Sequence, residues 1–135
     1  MAKVNVQDKL ISITTEDQFD QLVNQTSESQ LIIIDCHEDW CGPCLAIIPF
    51  YNALWLELDD PDKRIVPCTL DRSSAKFNKK LQSLLGSELK LDAQGCRPLF
   101  ICIKNRQAVG TVNGCNTPTL RMYIDLHIPK IVKKE

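Results

Sequence analysis

Hydrophobic positions along this chain recur with two periods that alternate segment by segment. The short β-branched run Leu10-Ile11-Ser12-Ile13 predicts a strand ending at Thr14-Thr15, where Thr15 and Gln18 have the spacing of a helix capping box. In the next segment Phe19, Leu22 and Val23 repeat at i, i+3 and i+4, which gives a helix one apolar stripe to bury before the polar stretch 24–30 ends it. Leu31-Ile32-Ile33-Ile34 is apolar at every position, the pattern of a central strand covered by helices on both faces.

Helical spacing returns with Ile47, Ile48, Phe50, Tyr51, Leu54, Trp55 and Leu58, and Asp59-Asp60-Pro61 stops it. Pro49 should kink that helix, because it lacks an N–H and clashes with the preceding turn. Residues 65–70 predict a third strand, and Phe77, Leu81, Leu84 and Leu85 a helix that Gly86 terminates. Residues 99–103 and 108–112 predict two strands joined by Lys104-Asn105-Arg106-Gln107, a connection short enough for an antiparallel hairpin. Thr117 as N-cap, with Pro118 at the first helical position, opens a last helix carrying Leu120, Tyr123, Ile124 and His127, which Pro129 interrupts. The order β-α-β-α-β-α-β-β-α predicts an α/β fold. Its sheet is mixed, with about five strands flanked by about four helices on both faces.

A chain of 135 residues has the usual length of one domain, so 1–135 is expected to form a single core. With 16 basic and 17 acidic residues the net charge is -1, which leaves no overall field to attract nucleic acid or anionic lipid. Met1 to Thr15 holds no apolar run of signal-peptide length, and no membrane-spanning run follows, so a soluble, intracellular protein is expected. Seven cysteines is a high, odd count, but without a signal segment it does not suit a secreted disulfide framework, and most of these thiols are expected to be reduced.

One pair of cysteines is placed for chemistry. Cys41-Gly42-Pro43-Cys44 lies between a strand and a helix, which sets Cys41 at a helix N-terminus, where unpaired N–H groups stabilise a thiolate. On a helix, residues three apart have Cβ atoms about 5–6 Å apart, so slight closure brings the two sulfurs within disulfide reach. A Cys-x-x-Cys can also be half of a zinc site, but with no second pair and two histidines in the chain neither metal nor cofactor is expected.

Trp40-Cys41-Gly42-Pro43-Cys44 resembles the active-site motif of the thioredoxin family at every position, and the resemblance covers nearly the whole chain. It implies that Cys41 is the nucleophile, that Cys44 is the resolving thiol, and that Asp35, six residues before Cys41, is the buried carboxylate that assists proton transfer. Pro49 resembles the family's helix-kinking proline and Pro98 its cis-proline. Several positions depart from the pattern. Arg97-Pro98-Leu99 replaces the usual apolar-Pro-Thr, Leu45 replaces a basic residue, His37 stands where tryptophan is general, and Pro67 replaces the lysine that faces the aspartate. Glu38 and Asp39 add negative charge that disfavours a Cys41 thiolate. Roughly a dozen extra residues lie between Asp71 and Pro98.

Cys96-Arg97-Pro98-Leu99-Phe100 and Gly114-Cys115-Asn116-Thr117-Pro118 are similar to the family branch that holds thioredoxin-like light chains of axonemal outer-arm dynein. That resemblance implies a subunit docked on a dynein heavy chain or another axonemal subunit, in the cytoplasm and the axoneme of a cilium, with a redox-regulated dithiol. The surface expected to dock is the rim formed by Trp40, Leu45, Arg97 and Leu99. The competing reading is a cytosolic disulfide reductase recycled by thioredoxin reductase. Cys36, Cys68 and Cys102, on strands, are expected to be core residues, as are Phe50, Tyr51 and Trp55.

Overall fold

Burial on both faces, expected of residues 31–34, holds for nearly all of strand β2 (Leu31–His37), in which only His37 is partly exposed. The computed structural model describes residues 6–25, 30–37, 46–71, 75–85 and 99–129. The other strands are β1 (Ile11–Ile13), β3 (Ile65–Asp71), β4 (Leu99–Lys104) and β5 (Gln107–Asn113). They form one mixed sheet in the order β1-β3-β2-β4-β5, with β3 parallel to both β1 and β2, and β4 antiparallel to β2 and β5. The α/β class and the five-stranded mixed sheet are therefore those the sequence predicts.

Helices α1 (Glu16–Gln25) and α4 (Ala75–Leu85) cover one face, and α2 (Ile47–Glu57) and α5 (Thr117–His127) the other. The strands divide their side chains by parity between the two layers. Ile32, Ile34 and Cys36 of β2 join Phe19 and Val23 of α1 and Phe77 and Leu81 of α4. Leu31 and Ile33 join Tyr51 and Trp55 of α2 and Leu120 and Ile124 of α5. A one-residue slip of β2 would exchange these layers, so packing on both faces fixes its register.

Local signals explain most element ends. Thr15 Oγ1 accepts from Gln18 N at 3.1 Å, and Gln18 Oε1 accepts from Thr14 N at 3.0 Å, so the expected capping box forms with its return bond one residue earlier. The last helix departs from expectation: Asn116 is its N-cap, accepting from Thr119 N at 3.2 Å, and Thr117 is already helical. An Asn side chain reaches the third N–H from its own position, so it takes the cap and leaves Thr117 inside the first turn. The sequence pattern also misses a 3₁₀ turn at Val6–Lys9 and the single-turn helix α3 (Pro61–Arg64). Elements of four residues carry too little periodicity to announce themselves.

Pro67 lies inside β3 yet costs the sheet little. It pairs with Ile33 of β2, whereas β1 pairs with β3 only from Cys68 onward, so on the β1 side Pro67 stands beyond the end of the ladder. Among the described residues no helix is long and apolar enough to cross a membrane.

Candidate redox site

The C-terminal end of β2 supplies the scaffold of the site. Asp35 is 2% exposed, the one buried charged residue among those described. It stands in register between Thr69 of β3 and Phe100 of β4, and by parity it belongs to the layer of Leu31, Ile33 and Phe100 under α2 and α5. A carboxyl group in such a layer costs stability unless its surroundings hold it or its chemistry requires it. His37 follows on the same face, opposite Asp71, partly buried; its Nδ1 is buried and has no hydrogen-bond partner among the described residues.

β2 ends at His37 and α2 begins at Ile47. The connection carries Trp40, Cys41, Gly42, Pro43, Cys44 and Leu45, which lie outside the described residues, as do Arg97 and Pro98. The described ends to which these segments attach are neighbours, because Cys36 of β2 pairs with Leu99 of β4. The fold thus joins the dithiol segment and the Pro98 segment to the same end of the sheet.

Pro49 lies in α2, and the residues that precede Ala46 are outside those described. One expectation needs correction. Leu99 is 2% exposed and packs in the core on the α1 and α4 side, so it offers no surface to a docking rim. It follows Pro98 directly, but strand parity turns its side chain inward.

Of the other cysteines, Cys96 lies outside the described residues. Cys36, Cys68 and Cys102 are buried on strands, as expected, and Cys115 is exposed. Burial pushes the thiols of Cys68 and Cys102 up to about 12, so neither forms an appreciable thiolate near neutral pH.

A mixed sheet of this order, with two helices on each face and an aspartate buried six residues before a Cys-x-x-Cys, defines a protein of thioredoxin fold. Residues 10–125 match the sequence model described as Thioredoxin. Thioredoxin-1 of Caenorhabditis elegans is 31% identical over 118 residues, covering 84% of this chain and 85% of that protein. The chain belongs to the thioredoxin family. The flagellar outer-arm dynein 16 kDa light chain of Chlamydomonas reinhardtii is 24% identical over 94 residues, covering 70% of this chain and 54% of that protein. Among solved structures, the thioredoxin of Malassezia sympodialis superposes with a TM-score of 0.63 at 23% identity, covering 94% of this chain and 95% of that one.

Proposed function

We propose that this chain is a thioredoxin-like light chain of axonemal outer-arm dynein whose Cys41 and Cys44 cycle between dithiol and disulfide. The observation that carries the chemistry is the burial of Asp35 on the sheet face beneath α2. In this reading the Cys41 thiolate attacks a substrate disulfide and releases one substrate thiolate, leaving a mixed disulfide. Cys44, its proton taken by Asp35, then attacks the Cys41 sulfur and releases the second thiolate. The product is an intramolecular disulfide, and a dithiol reductant such as that of thioredoxin reductase returns it to the starting state.

The subunit role is supported by the similarity to the Chlamydomonas light chain, and by Leu45 and Arg97, which depart from the usual motif surroundings. With Leu99 buried, the docking rim of this reading consists of Trp40, Leu45 and Arg97. Affinity purification of the tagged chain from ciliated cells, with and without reductant, tests it. A dynein heavy chain in the eluate is the expected result, and recovery of soluble enzymes alone would remove the subunit reading.

A general cytosolic disulfide reductase is the second reading, favoured by the similarity to a thioredoxin along 85% of that protein's length. Turnover of insulin disulfides at thioredoxin-like rates, abolished in Cys41→Ser, supports it. Slow turnover alongside a tight dynein complex supports the subunit.

A further inference from the structure

At the end of the sheet where β2 begins, three segments distant in sequence enclose an open groove of about 690 Å³. Its apolar floor comes from Phe19 and Val23 of α1, Leu84 of α4 and Ala108 of β5. The Nζ of Lys80 donates to both carboxylate oxygens of Asp20, at 2.8 and 2.9 Å, so this pair is neutral as a unit. Glu16 and Asp17 also act on Lys80, but neither lines the groove. Asp20 is the one carboxylate among the described lining residues, and Lys79 and Arg106 add two positive charges to the walls.

Arg106 occupies its position against a local preference. The turn between β4 and β5 holds Asn105 at φ 53° and Arg106 at φ 67°. Two-residue turns with both central residues left-handed favour Asn-Gly, so the asparagine fits while the arginine replaces the glycine that would be free of strain. Its Nε donates to the backbone oxygen of Asn24 at 3.2 Å, near the end of α1, which ties the side chain to the groove.

The groove is remote from the dithiol segment. Lys104 pairs with Leu31, whereas the dithiol segment leaves β2 after His37, and a strand of that length separates the two ends by about 20 Å. We propose that the groove docks an acidic segment of a partner protein, its apolar residues on the floor and its carboxylates against Lys79 and Arg106. Charge complementarity of this kind sets the choice of partner and speeds encounter. A partner held there leaves the dithiol end of the sheet uncovered.

The test titrates the isotope-labelled full chain with a synthetic amphipathic peptide of leucine and glutamate, and with a counterpart in which lysine replaces glutamate. Saturable amide shifts are expected at Val23, Asn24, Lys80, Ser83 and Ala108 with the acidic peptide alone. Arg106→Gly and Lys79→Glu should each weaken binding about tenfold. Arg106→Gly should melt at or above the wild-type temperature, so its weaker binding is not unfolding. Undiminished affinity in both variants, equal binding of the lysine peptide, shifts centred on Asp35 and Ala46, or no saturable binding would each overturn the proposal. Insulin reduction does not enter this result, so it stands or falls apart from the dithiol chemistry.

Discussion

Gly110 of β5 lies directly under the ring of Tyr123 of α5: a Cβ at position 110 would come within 2.6 Å of Tyr123 Cδ1 and 2.7 Å of Cε1. The ring is also stacked on His127, with centroids 6.5 Å apart and planes 18° from parallel, so it is not free to turn aside on its own. The missing side chain therefore sets how closely α5 approaches the sheet. Gly110→Ala should destabilise the protein by about 1–3 kcal/mol through overpacking. Chemical denaturation measures it, and Tyr123→Leu in the same chain should restore part of the loss. Equal stability of Gly110→Ala and wild type would refute this account of the contact.

The C-terminal end of α2 is clamped to the middle of α5 by charge. Arg121 donates from Nη1 and Nη2 to the two carboxylate oxygens of Glu57, both at 2.9 Å, and from Nε to Asp125. These bonds hold the Glu57 carboxyl below its ordinary value of 4.5. A carboxyl lowered on folding stabilises the native state above its unfolded pKa, and the contribution disappears as pH falls through the folded value. Glu57→Gln should therefore be less stable than wild type at pH 7, and the gap should close below about pH 4. Added salt should narrow it as well, since the pair is exposed. Urea midpoints at the two pH values decide the matter; a gap that widens in acid contradicts it.

Buried thiols should be silent in the native protein. Brief alkylation at pH 8 followed by peptide mapping should mark Cys115 and leave Cys36, Cys68 and Cys102 unmodified until denaturant is added. Labelling of Cys68 as fast as that of Cys115 would show that the core opens more readily than its packing implies.

The start of α5 separates two neighbouring polar residues. Asn116→Ala removes the acceptor for Thr119 N and should cost about 1 kcal/mol, whereas Thr117→Ala should cost less, because Thr117 is inside the helix. If thermal melts show Thr117→Ala to be the more damaging, the cap has been assigned to the wrong residue.

If Asp35 serves as the proton acceptor, Asp35→Asn should slow insulin reduction more at pH 6 than at pH 8, because the solvent takes the Cys44 proton more easily in alkali. A rate loss equal at both pH values would leave Asp35 a structural residue only.

What the amino-acid sequence determined by itself was everything written in short-range periodicity or in a contiguous motif. Period-two runs and 3.6-residue stripes gave nine elements in the correct order, because burial of one face is repeated at every turn or every second residue. The full burial of 31–34 marked the centre of the sheet, and the position of Asp35 before the Cys-x-x-Cys was legible as a charge in an apolar strand. Tertiary structure decided what depends on residues far apart in the chain. It turned Leu99 into the core, where the neighbouring motif had suggested a surface, because strand pairing assigns a side chain to one face. It also brought Asp20, Lys80 and Arg106 to one groove, a meeting that no local pattern encodes, since each lies on a separate element whose own periodicity records only which side is buried.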